Sequence, residues 1–225
     1  MTKRVLFALT SHDTLGNTGR KTGFYVPEVA HPAVVFDSAG YEISYVSVAG
    51  GPVPQDGVNP DDAVVTAFLA DPAAQRALAA TATADQLTAT DYDIIYFAGG
   101  HGTMWDFPES KELAELAAAV YENGGVVAAV CHGPAGLVNI RLGDGSYLVA
   151  GKQVSSFTND EEAAVGLAEV VPFLLQDKLV ERGGRHSQAP NFAEHAVADR
   201  RLVTGQNPAS ATLVAELALK ELGKA

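Results

Sequence analysis

The sequence predicts an α/β fold: a doubly wound, mostly parallel sheet with helices on both faces. Two observations predict it. Short apolar runs bounded by Gly, Asp or Asn alternate with helical stretches, and polar or glycine-rich loops follow the runs. A chain alternating in this way folds as βαβ units whose helices cover both sheet faces. With 225 residues, 47% of them apolar, it can fill one sizeable core, so a single domain over residues 1–225 is expected.

In chain order, strands are expected at 5–9, 41–48, 93–98, 126–130 and 201–205, each short and apolar or β-branched. Helices are expected at 27–39, 61–80, 109–123 and 208–222. Pro27 suits a first helical position, where a missing N–H costs nothing, and Gly40 and Gly124 suit helix stops. Residues 145–157 break the rhythm with two extended runs around Ala150-Gly151, which reads as a small antiparallel hairpin. The Ala/Thr-rich stretch 71–90 reads as a surface insertion and 16–23 as a flexible loop.

Composition removes several function classes. The net charge is −12, from 27 acidic and 15 basic residues, with no cluster of Lys and Arg. Such a field opposes phosphate backbones, so nucleic acid is not an expected partner. The five apolar residues after Lys3-Arg4 are too few for a leader core, and no run approaches a membrane span. A lone cysteine excludes an internal disulfide and fits a reducing, cytoplasmic setting.

That cysteine carries the chemistry. Cys131-His132-Gly133-Pro134 ends the apolar run 126–130 and opens what reads as a helix. A strand–Cys–turn–helix elbow lifts the thiol to the carboxyl edge of the sheet, and the helix N-terminus favours the thiolate. A buried structural Cys is the ordinary alternative. Open parallel sheets place ligands at that same edge, where loops 10–23, 99–108, 131–136 and 205–207 also fall. Gly99-Gly100-His101-Gly102 ends the neighbouring strand, so the N–H groups of Gly100 and His132 form a candidate oxyanion hole. His132 needs an orienting carboxylate, for which Asp160, Glu161 and Glu162 are candidates, although this acidic run also suits a plain helix start. Glu28 follows Pro27 at the same edge and can exchange a proton with the thiol; an acid in a first helical turn explains it equally well. The stretch from Gly16 to Gly23 fails as a phosphate loop because no Lys directly follows its second Gly. His12, His31, His101, His186 and His195 show no metal spacing and there is no second Cys, so no structural zinc site is expected, and neither metal nor cofactor is assigned; a mixed His/carboxylate site assembled in space is the alternative that spacing does not address.

The Cys131-His132-Gly133-Pro134 elbow, the Gly99-Gly100-His101-Gly102-Thr103 loop and Glu28 resemble the ThiJ/PfpI superfamily, class I glutamine-amidotransferase-like. Thr22-Gly23-Phe24, Phe157-Thr158-Asn159 and the run from Val203 to Ser210 are similar to its heat-shock-protein-31-like branch. The resemblance spans nearly the whole chain. It implies a flavodoxin-like sandwich, a homodimer, and glutathione-independent glyoxalase activity converting methylglyoxal to lactate. Holdase-chaperone, protein-deglycase and thiol-peptidase activities are its alternatives. Carried over by residue, it implies Cys131 as nucleophile and His132 as its histidine. Glu28 becomes the acid beside the thiol, Gly100 and His132 the oxyanion donors, and His101 a substrate-side neighbour. The third triad member, five residues after an aromatic one, falls from Phe157 on Glu162. No His-Pro-Glu motif stands near the C-terminus, which disfavours glutamine hydrolysis.

Overall fold

A computed structural model describes residues 3–223. Met1, where the opening segment was read, and the last two positions of the 1–225 span lie outside the described residues. Six strands build the main sheet: β1 (Arg4–Leu9), β2 (Glu42–Ser47), β3 (Ile94–Phe97), β4 (Val126–Val130), β5 (Ala196–Asp199) and β6 (Leu202–Gly205). Their order is β2-β1-β3-β4-β6-β5, and every neighbouring pair is parallel except β6 with β5. The described α-helices are α1 (Pro27–Ser38), α2 (Ala63–Ala70), α3 (Pro72–Leu78), α4 (Thr103–Asp106), α5 (Lys111–Glu122), α6 (Asn159–Ala164), α7 (Leu175–Glu181) and α8 (Ala211–Leu222).

The period-2 geometry of a strand splits the core into two layers. Val5, Phe7, Leu9, Ile94, Tyr96, Val126 and Ala128 face α1 and α8, packing against Val29, Phe36, Val214 and Ala215. Leu6, Ala8, Ile95, Phe97, Val127 and Ala129 face the other way, onto Leu113, Leu116, Ala117 and Val120 of α5. Each fully buried Val, Leu, Ile or Phe contributes roughly 1.5–3 kcal/mol, so both layers are needed to outweigh chain entropy. This doubly covered sheet is the expected fold.

Four local expectations are corrected. The stretch 61–80 is two helices, because Asp71 precedes Pro72 and the proline ring disfavours a helical residue before it. Asp71 instead takes an extended conformation and caps α3 through the N–H groups of Ala73 and Ala74. Residues 145–157 contain no hairpin; Gln153–Val154 pairs in parallel with Arg185–His186. The antiparallel hairpin is β5–β6, turning through Arg200 and Arg201 at φ 51° and 65°. Two arginines hide a turn that Asn or Gly would announce.

Stretch 71–90 is not a bare insertion. Ala82 bridges Val46, and Thr81 Oγ1 meets Ser47 Oγ at 2.7 Å, covering the β2 edge that would otherwise be open to pairing. The loop 16–23 is pinned as well: Thr14 bridges Lys21, and Leu15 N–H donates to the Arg20 carbonyl at 3.0 Å.

Candidate active site

Cys131 ends β4 with φ 59°, a left-handed conformation uncommon outside glycine. Its N–H donates to the Gly205 carbonyl at 3.0 Å and its own carbonyl accepts from Phe157 N–H at 2.8 Å, so both flanks hold the bend. The chain then enters a five-residue 3-10 turn, Gly133–Leu137, rather than an α-helix. The expected helix field is therefore weak, since a macrodipole needs aligned turns.

The Gly99-Gly100 pair is dictated by crowding. A Cβ on Gly99 would lie 2.5 Å from Glu28 Oε2 and 2.8 Å from the His132 nitrogen. Gly100, at φ 105°, passes so close to Gly23 that a Cβ would stand 2.2 Å from its carbonyl oxygen. These approaches put Glu28, Gly100 and His132 around one sulfur. Among the described residues the Gly100 N–H donates to no acceptor.

Glu28 sits in the first turn of α1, fully buried, and its Oε2 accepts the Gly99 N–H at 2.8 Å. Burial pushes the carboxyl up to about 8, against the opposing pull of the neighbouring Cys131 thiol and of the Gly99 N–H. At neutral pH it is a carboxylic acid, and its Oε1 has no hydrogen-bond partner. Burial, and then the charge Glu28 carries once ionised, push the Cys131 thiol well above its ordinary value, while the His132 backbone N–H pulls the other way. The expectation of a resting thiolate is corrected accordingly: with 4% exposure and only a short turn behind it, the sulfur keeps its proton until a base removes it.

His132 Nδ1 lies 3.3 Å from Cys131 Sγ, and His132 Nε2 lies 2.7 Å from Glu162 Oε2. Adjacent residues rarely meet side chain to side chain; the left-handed bend at Cys131 makes it happen here. Burial first, then the neighbouring His101, hold His132 down to about 4 despite Glu162, so the ring is neutral at pH 7. A neutral imidazole has one N–H, and a carboxylate can only accept it. The proton therefore sits on Nε2, leaving the Nδ1 lone pair facing the thiol.

Glu162 projects from the first turn of α6. Burial disfavours its charge, yet hydrogen bonds from His101 and His132 outweigh that and hold it near 2. His101 Nε2 reaches Glu162 Oε1 at 2.9 Å, and its ring centroid stands 4.0 Å from that of His132.

The structure separates the three acidic candidates. Asp160 is exposed; Glu162 meets the histidines; Glu161 turns inward and accepts from Thr158, Phe192, Gln206 and Asn207. The plain helix-start reading holds simultaneously, because Thr158 and Glu161 form a capping box.

Cys131, His132, Glu28, Gly100 and His101 line one cavity of about 360 Å³. Its other walls, absent from the sequence reading as site residues, include Leu15, Arg20, Tyr25, Asp56, Val165 and Phe192. Phe157 also lines it, its ring centroid 4.4 Å from that of His132 and tilted by 34°. A larger cleft of about 620 Å³ between α1, α2, α3 and β2 is walled half by alanine, with Asp37, Asp71 and Tyr45 as its polar side chains and neither cysteine nor histidine in its lining. His101, His132 and Glu162 bring three metal-ligating atoms within 4.8 Å of one another, from segments too far apart for a spacing motif. A cation there would have to displace both protons that the carboxylate now holds.

Residues 21–221 match the DJ-1/PfpI family. The glutathione-independent glyoxalase HSP31 of Saccharomyces cerevisiae is 36% identical, over 93% of each chain. Glyoxalase 3 of Candida albicans is 36% identical, over 95% of each. Among solved structures, the Rapid Encystment Protein 24 KDa of Francisella tularensis superposes with a TM-score of 0.94 at 38% identity, covering 98% of this chain and 99% of that one. Glyoxalase III of Candida albicans superposes with a TM-score of 0.91 at 34% identity, covering 97% of each. Matched over residues 21–221 and about a third identical to these relatives along nearly the whole length, the chain belongs to the DJ-1/PfpI family.

Proposed function

We propose that the chain is a cysteine-dependent, glutathione-independent glyoxalase that converts methylglyoxal and related 2-oxoaldehydes to 2-hydroxy acids. The observation carrying this reading is one thiol standing 3.3 Å from a neutral imidazole nitrogen and beside a protonated carboxyl, inside a cavity of small-molecule size. Its relatives named as glyoxalases support the same chemistry.

In the first step His132 Nδ1 takes the Cys131 proton as sulfur bonds to the aldehyde carbon. The carbonyl oxygen is protonated, giving a hemithioacetal, with the N–H groups of Gly100 and His132 supporting the transient oxyanion. Removing one such donor typically costs about 100- to 1,000-fold in rate. The hydrogen on the former aldehyde carbon then passes as a proton to a base, either Glu28 once it has given its own proton to the substrate oxygen or His132 held by Glu162, and the keto oxygen is protonated, producing an enediol. Reprotonation at the adjacent carbon yields a 2-hydroxyacyl thioester on Cys131. Glu28, protonated with an unpartnered Oε1, is suited to supply and recover protons at the substrate oxygens. Water finally cleaves the C–S bond, releasing the 2-hydroxy acid and restoring the thiol. One carbon is oxidised and its neighbour reduced, so the steps balance with water alone.

The decisive comparison is wild type against Cys131→Ala, incubated with methylglyoxal without glutathione while lactate is measured. Wild type should form lactate; the variant should form none while keeping the wild-type melting temperature. Lactate from the variant at the wild-type rate would overturn the mechanism. No geometric observation favours the holdase, deglycase or peptidase alternatives. We also infer one working domain over residues 1–225, acting as a cytoplasmic homodimer without nucleic-acid or membrane partners. The acidic charge and lone cysteine support this, and no helix of the described residues is long and apolar enough to cross a membrane.

A further inference from the structure

Five large apolar side chains are conspicuously exposed among the described residues, and two of them, Val165 at 42% and Phe192 at 49%, line the cavity that holds Cys131. Glu28, Cys131 and His132 are buried and form the floor of that cavity, which puts these two at its rim. Exposing a phenyl ring to water is unfavourable, and Phe192 adds a second cost by adopting φ 62°, a left-handed conformation that is a genuine outlier for a bulky residue.

The fold holds it there deliberately. Phe192 N–H donates to Glu161 Oε1 at 2.7 Å, and Glu161 is fully buried and fixed in turn by Thr158, Gln206 and Asn207. The Phe192 ring centroid lies 6.3 Å from that of Phe157, which in turn lies 4.4 Å from that of His132. An aromatic path thus runs from the rim to the base. The cavity, at about 360 Å³, is also large for methylglyoxal, which has five heavy atoms. Cavities for drug-sized ligands begin at about 300 Å³.

Resting on the glyoxalase reading, we propose that Phe192 and Val165 form a specificity subsite for 2-oxoaldehydes bearing an aromatic or long aliphatic group on the keto carbon. The aldehyde end adds to Cys131 at the floor while the apolar substituent covers the two exposed side chains at the rim. The substituent takes no part in bond making. It contributes binding that methylglyoxal, with a single methyl group, lacks.

The test compares kcat/KM for phenylglyoxal and for methylglyoxal in wild type, Phe192→Ala and Val165→Ala. Wild type should prefer phenylglyoxal by tenfold or more, and Phe192→Ala should lower that ratio about tenfold, chiefly through KM, the factor that about 1.4 kcal/mol represents. Val165→Ala should lower it by a smaller factor, and it carries the test if the first variant fails to fold. A ratio that neither substitution changes overturns the subsite. Calorimetry with the two product acids separates this inference from the reading beneath it. Mandelate should bind wild type more tightly than lactate does, and lose that advantage in Phe192→Ala. Such a preference without turnover of either aldehyde would sink the glyoxalase reading and leave the subsite standing; equal binding of the two acids would sink the subsite.

Discussion

Replacing Glu28 with Gln should change how stability depends on pH. The carboxyl is fully buried, and burial raises it from an ordinary 4.5 to about 8. Between those two values the folded protein binds a proton that the unfolded chain has released, so stability falls as pH rises through this window. Below 4.5 both states are protonated and the full stability is present; above about 8 the loss is complete. At about 1.36 kcal/mol per pH unit, the whole rise is worth on the order of 5 kcal/mol, of which about 3 is already lost at pH 7. Gln keeps the shape, and its carbonyl can still accept the Gly99 N–H, but it has nothing to titrate. Urea unfolding of both proteins at half-unit intervals from pH 4.5 to 9 is the assay. The difference in unfolding free energy should swing toward the variant by several kcal/mol across that span. Parallel profiles would refute a buried, protonated Glu28, and with it the proton donor of the proposed mechanism.

Two further outcomes follow from the carboxylates of α6. Glu162→Gln leaves one acceptor oxygen for two imidazole N–H groups and removes the charge that fixes the His132 proton on Nε2, and kcat should fall by about 100- to 10,000-fold, the usual contribution of a positioned base, with little change in substrate KM. An unchanged kcat in a steady-state assay would remove Glu162 from the site. Glu161→Gln places an amide among the donors of Thr158, Phe192, Gln206 and Asn207, leaving buried groups unsatisfied. That should lower the unfolding free energy by about 1–3 kcal/mol or more, read by thermal or urea denaturation.

The elements legible in the sequence are those set by local pattern. The five all-apolar residues of β4 could only be a strand buried on both faces, and its end had to face the ligand edge. From there Cys131, Gly99-Gly100 and Glu28 fell on one rim, and the structure brings them together. What stayed hidden depends on three-dimensional distance. The contact between Cys131 and its own neighbour His132 requires φ 59°, which no residue type announces. The thiol's raised affinity for its proton comes from burial and from Glu28, 103 positions earlier in the chain. Phe192 follows Asn191 in a polar stretch with no periodicity, and only the inward turn of Glu161 explains its place. The break at Asp71-Pro72 was legible by the rule for residues before proline; apolar content on either side masked it.

Glu162 engages both of its oxygens with imidazole nitrogens, one from His101 and one from His132. A carboxylate clamped in this way cannot swing to a new partner without releasing a ring. His132 is left with a single nitrogen free to trade protons, and that nitrogen looks only toward sulfur. Whatever it lifts from the thiol must therefore return through the same doorway, to the sulfur or to a molecule attached to it.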